Sequence, residues 1–129
     1  MFKARAVMML LGLSVLSACD GGLRVNPPKT DSCAENLVTL RVEVVDARGA
    51  AVDDAVVTAT NADTGHSITG TTSERGVTTA VNEDIGAGRV WLTAVAGSKS
   101  SDSAVEVNWT CDDCHCHPQP GTIQLRLRP

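Results

Sequence analysis

Aromatic residues are nearly missing from this chain, which has no Tyr, one Phe and two Trp among 129 residues. Phe2 lies in the leading segment, so any folded part has only Trp91 and Trp109 and must build its core from Val, Leu, Ile and Ala. Such a core is thin for its size, and covalent cross-links would help to hold it. Long apolar runs are missing as well. The longest, about eleven residues from Ala6 through Leu16, falls short of the roughly 20 that a membrane-spanning helix needs. Positive charge is scarce, with 11 Lys and Arg against 15 Asp and Glu. The first 18 residues hold Lys3 and Arg5 but no acid, so the remainder carries 9 basic residues against 15 acidic ones, a formal charge of −6. That excludes nucleic acid as an expected partner, because phosphate binding needs clustered Lys and Arg. Catalytic patterns are missing too. There is no Gly-x-Ser-x-Gly elbow, no glycine-rich phosphate loop, and no nucleophile that can be placed beside a base. The chain is therefore expected to be neither an enzyme nor a cofactor binder.

What is present begins at the N-terminus. Two positive charges within Met1 to Arg5, then the apolar run, have the layout of a secretory signal. Leu16-Ser17-Ala18-Cys19 follows, and these four residues resemble the lipobox of bacterial lipoproteins at every position. The resemblance implies cleavage before Cys19, a diacylglyceryl group on its thiol and a further acyl chain, such as palmitate, on the new amino terminus. Two or three chains make a stable anchor where one would be marginal. Asp20 resembles the inner-membrane retention signal of some enteric bacteria, a rule that varies between lineages, so the reading is a lipid anchor in the inner or the outer membrane. Residues 21–32, with Gly21, Gly22, Pro27 and Pro28, show no apolar periodicity and read as a tether. About 14 flexible residues average roughly 20 Å end to end, which keeps a domain near its membrane. The organisation expected is a signal peptide at 1–18, a lipidated N-terminus and tether at 19–36, and one domain at 37–129.

From Leu37 onward, apolar residues recur at every second position in short runs separated by Gly, Asp, Asn and Ser, which is strand and not helix periodicity. In the first run Val38, Leu40, Val42 and Val44 share one face, and Thr39, Arg41 and Glu43 the other. Further strands are expected at 55–60, 66–71, 76–82, 89–96, 104–110 and 122–128. The links carry turn chemistry: Asp46-Ala47-Arg48-Gly49, Asp63-Thr64-Gly65, Glu74-Arg75-Gly76, Gly86-Ala87-Gly88 and Pro120-Gly121. The fold class expected is all-β, a seven-stranded antiparallel β-sandwich of transthyretin-like or immunoglobulin-like type.

Within it, Val42 to Val57, with Asp46, Gly49, Val52, Ala55 and Val57, resembles the opening of carboxypeptidase regulatory-like domains, where a strand leads through Asp-x-x-Gly to a Val and an Ala before the second strand. Thr72-Ser73-Glu74-Arg75-Gly76 is similar to that family's turn before its fourth strand, and Gly88-Arg89-Val90-Trp91-Leu92 to its Gly-led fifth strand. The aromatic that the family often places after this Gly is Val90 here, with Trp91 on the opposite face. The resemblance runs from about Leu37 to Arg128 and implies a transthyretin-like sandwich without catalytic residues, used for binding, spacing or stabilisation; for a chain anchored at a membrane, an unidentified envelope protein is the partner expected.

Cys111-Asp112-Asp113-Cys114-His115-Cys116-His117 is the densest chemistry in the chain. In an oxidising compartment Cys33, Cys111, Cys114 and Cys116 form an even set, and two disulfides are expected, with three connectivities open. If odd strands run one way, the first and the seventh begin at the same end, which favours Cys33 with Cys116 or Cys111 and a local bond for the other two. A bond closing roughly 80 residues would stabilise by about 4 to 5 kcal/mol. The alternative function is a small ligand or metal carrier, holding zinc or copper on Cys111, Cys114, His115, Cys116 and His117. Its spacing is unfavourable, because in an extended stretch Cys114 and Cys116 point away from His115 and His117. Asp46 with Asp53 and Asp54 can be drawn as a calcium site, although turn acids are the simpler reading. Trp91, alternating against Val90, Leu92 and Ala94, is expected on the surface as a contact residue.

Overall fold

The computed structural model describes Cys33 and residues 36–129. The chain divides into two compact units, Met1–Ala34 and Glu35–Pro129. Cys33 alone is described of the first, and the fold below is that of the second. The expected leader, Cys19 and nearly all of the tether lie outside the described residues.

Among the described residues nine strands follow one another: β1 (Arg41–Val45), β2 (Val56–Asn61), β3 (Ser67–Thr71), β4 (Val77–Thr78), β5 (Gly88–Ala96), β6 (Lys99–Ser100), β7 (Val105–Cys111), β8 (Cys116–Gln119) and β9 (Thr122–Arg126). A single 3-10 turn, Glu83–Ile85, precedes β5, and no α-helix occurs among the described residues. The strands form two sheets. The larger has the order β3-β2-β5-β7-β8, with β6 folded back on the end of β5, and the smaller is β9-β1-β4.

Alternation decides which face each strand buries. In β5 Val90, Leu92 and Ala94 are buried, while Arg89, Trp91, Thr93 and Val95 are exposed. In the smaller sheet Leu40, Val42 and Val44 turn inward, as do Ile123, Leu125 and Leu127. Together with Val57, Ala59, Val107 and Trp109 they make one core shared by both sheets, the arrangement of a β-sandwich. Each buried Val or Leu contributes roughly 1.5–3 kcal/mol relative to an exposed one.

Seven of the nine strands coincide with the segments read from the sequence, and the short β6 and β8 are additional. Two departures have physical causes. The segment 76–82 keeps strand pairing only at Val77–Thr78. Beyond it, Thr39 pairs with Asn82 in a register one residue out of step with Val42 and Thr78. The extra residue is a bulge, and Thr78 Oγ1 accepts the Ala80 N–H inside it at 3.2 Å. The second is a correction: the sheets are not wholly antiparallel, because β9 lies parallel to β1, from Thr122 opposite Arg41 to Arg126 opposite Val45. After β8 the chain leaves the larger sheet and re-enters the smaller one beside β1, where the intervening strands serve as the long crossover that a parallel pair requires.

Buried polar groups lock the turns. Asn61, fully buried, donates through Nδ2 to the carbonyls of Ile85 (2.9 Å) and Ala87 (3.0 Å). Its Oδ1 accepts the N–H groups of Asp63 (2.8 Å) and Thr64 (3.2 Å). All four hydrogen-bonding positions of the carboxamide are thus filled. Thr72 does similar work at the end of the β2–β3 pair, as its hydroxyl accepts the Ala55 N–H and donates to the Val52 carbonyl.

Candidate functional site

The Cys and His cluster is the tip of the β7–β8 hairpin. Cys111 and Cys116 are directly opposed in the ladder, and a disulfide joins them. Between them Asp112 shapes the turn: its Oδ1 accepts the N–H groups of Cys114 and His115, each at 2.8 Å, while its own N–H donates to the His115 carbonyl. These backbone donors, His115 first and then Cys114, with the nearby His117, lower the Asp112 carboxyl to about 2.

The sulfur pairing corrects one expectation. Cys33 and Cys114 are each disulfide-bonded too, but with Cys111 and Cys116 joined to each other, neither Cys111 nor Cys116 is the partner of Cys33. Their bond spans a sequence separation of 5. Two cysteines held face to face at a hairpin end pair with each other before either reaches a distant segment.

The two imidazoles do different things. His115 is largely enclosed, its side chain 17% exposed, and its Nδ1 lies 2.8 Å from Glu83 Oε2. Glu83 opens the 3-10 turn that Asn82 caps through the Asp84 N–H. Its carboxylate also accepts the Val38 N–H at 2.7 Å and the Cys116 N–H at 3.0 Å. Three stretches of chain far apart in sequence therefore meet on one carboxylate. The Val38 donor foremost, then Cys116 and His115, hold the Glu83 carboxyl below the usual glutamate range against the opposing effect of burial. His117 is exposed and lies 3.3 Å from Asp112 Oδ2.

As a metal shell the cluster is poorly furnished. Metal-ligating cysteine is a thiolate, and Cys111, Cys114 and Cys116 are all oxidised. His115 and His117 each face a carboxylate, and their ring centroids are 6.4 Å apart. Among the described residues no group of three or more His, Cys, Asp or Glu side chains is placed to hold a metal ion. Asp46 is likewise engaged in its own turn, where Oδ1 accepts the N–H groups of Arg48 (2.8 Å) and Ala50 (2.9 Å) and Gly49 takes the positive φ that the turn requires. Asp53 and Asp54 are exposed turn residues.

Two surface features remain. A cleft of about 220 Å³ is lined by Asp102, Ser103, Val105, Gln124, Leu125 and Arg126. It is below the roughly 300 Å³ at which small-molecule sites begin, and Asp102 is paired with Arg128 at 2.8 Å. On the outer face of the larger sheet Trp91 is 38% exposed, with Val56 and Val95 opposite each other farther along that face.

No family model matches the chain, and no curated protein is significantly similar to it. Sequence reasoning placed the cysteines and Trp91, and missed the roles of Glu83 and Asn61. Glu83 had no local signal, whereas Asn61, just ahead of Asp63-Thr64-Gly65, carried the mark of a side-chain-capped turn.

Proposed function

We propose that this protein is a lipid-anchored lipoprotein of the bacterial cell envelope, in the inner or outer membrane, whose domain is a non-catalytic binding or structural module. Leu16-Ser17-Ala18-Cys19, behind a charged and then apolar leader, carries this reading. The two-sheet all-β fold supports the finer assignment, a transthyretin-like sandwich of carboxypeptidase regulatory-like type. Four oxidised cysteines support export, since disulfides persist outside the cytoplasm. The domain works through contact with an envelope protein, and the anchor sets its distance from the membrane.

Mass spectrometry of the mature N-terminus tests the proposal. The expected product begins at Cys19 and carries a diacylglyceryl group with a further acyl chain. An unmodified Cys19, or a leader still attached, overturns it. Elemental analysis of the same material separates this function from a metal carrier, for which zinc or copper would be stoichiometric.

A further inference from the structure

Strand β7 carries Glu106-Val107-Asn108-Trp109-Thr110, which contains Asn-x-Thr, the acceptor pattern for an asparagine-linked glycan. Glu106 places an exposed acid two residues before the Asn. Strand alternation sorts these five residues: Val107 and Trp109 are buried, and Glu106, Asn108 and Thr110 all stand exposed on the outer face. Among the described residues no hydrogen bond engages the Asn108 carboxamide.

The register brings a second observation to the same place. Glu106 lies directly opposite Trp91, and Asn108 opposite Arg89, so Asn108 and the exposed indole are diagonal neighbours on one face. Diagonal neighbours in a ladder stand about 7–8 Å apart, within reach of the first sugar on an asparagine. A pyranose ring presents C–H groups on one side, which stack on an indole plane, and hydroxyls at its rim, which Arg89 and Glu106 flank.

We propose that Asn108 is a glycosylation site and that Trp91 is the platform on which its first sugar rests. The donor is an oligosaccharide on polyprenyl diphosphate. The carboxamide nitrogen of Asn108 attacks C1 of the first sugar, forming an N–C1 bond while the C1–O bond to the diphosphate breaks. Polyprenyl diphosphate leaves with the electron pair, and the nitrogen gives one proton to a base, so no oxidant or reductant is needed. With β7 hydrogen-bonded to β5 on one side and β8 on the other, a folded Asn108 cannot bend into a transferase, and addition precedes closure of the Cys111–Cys116 hairpin.

The proposal rests on the exported, lipid-anchored reading, and one spectrum separates the two. The full chain is purified from the cells that make it, and its intact mass and Asn108 peptide are measured. A sugar increment on Asn108, lost in Asn108→Gln and in Thr110→Ala, is the expected result. Lipid on Cys19 with a bare Asn108 overturns glycosylation and leaves the anchor standing. A glycan without lipid supports the site and overturns the anchor, whereas an uncut leader with neither group overturns both. The platform has its own readout. Trp91 emission should shift to shorter wavelength in the glycosylated protein relative to Asn108→Gln, with Trp91→Phe used to remove the Trp109 background. An unchanged Trp91 spectrum overturns the stacking.

Discussion

Nδ1 of His115 lies 2.8 Å from Oε2 of Glu83, and the same oxygen accepts the Val38 N–H at 2.7 Å. The hairpin tip is thereby fastened to the stretch leading into β1. Glu83→Ala should lower Tm by several degrees, because it leaves the Val38 and Cys116 donors without their acceptor. Glu83→Gln, which retains one oxygen, should fall between Ala and the parent. His115→Ala should be the mildest, since both backbone bonds survive. Thermal unfolding followed by circular dichroism ranks the three, and a Glu83→Ala protein as stable as the parent would show that this meeting point contributes nothing.

Acid should weaken the fold over a defined window. Glu83, Asp46 and Asp112 all have carboxyls held below their ordinary values by backbone donors. A depressed carboxyl stabilises the folded state above its unfolded value and loses that contribution as pH falls through the folded one. Stability should therefore decline from about pH 4.5, the ordinary glutamate value, down to about pH 2, the value for Asp112. Urea unfolding midpoints across that range measure it. Asp112→Asn should show a shallower decline, and equal slopes would remove Asp112 from the account.

Asn61 should be intolerant of change. Asn61→Ala leaves two carbonyls and two N–H groups without their side-chain partner, at a cost of roughly 2–4 kcal/mol. Asn61→Asp keeps the acceptor, loses both donors and buries a charge, so it should be worse at pH 7 than Ala. Chemical denaturation decides the order.

Trp109 is 1% exposed, and its Nε1–H has no acceptor among the described residues. Trp109→Ala should cost about 3–5 kcal/mol through the cavity it leaves. Trp109→Phe should cost much less, because part of the lost volume is offset by removal of an unpaired N–H. If the two variants are equally destabilised, the indole nitrogen has a partner in solution.

Most strands were legible because alternation is a local property: Val90, Leu92 and Ala94 against Trp91, Thr93 and Val95 announce both the strand and its wet face. The bulge around Ala80 was not, since one extra residue shows only against the partner strand. Cys33, Cys111, Cys114 and Cys116 could be counted as an even set, but their pairing depends on which residues the hairpin sets opposite each other. Glu83 acquires its role from Val38 and Cys116, 45 and 33 residues away, and no sequence window contains all three. The β9–β1 pairing is likewise the longest-range in the fold, and strand periodicity carries no sign of direction.

That side-by-side pairing also fixes how the domain bears load. The chain enters β1 at Arg41 and leaves β9 at Arg126, beside Val45 at the other end of the five-rung ladder, about 13 Å farther on at roughly 3.3 Å per residue. A pull between these points loads all the rungs at once in shear, so they resist together instead of peeling apart one by one. A bead strung this way stays folded under tension that would unzip an antiparallel hairpin.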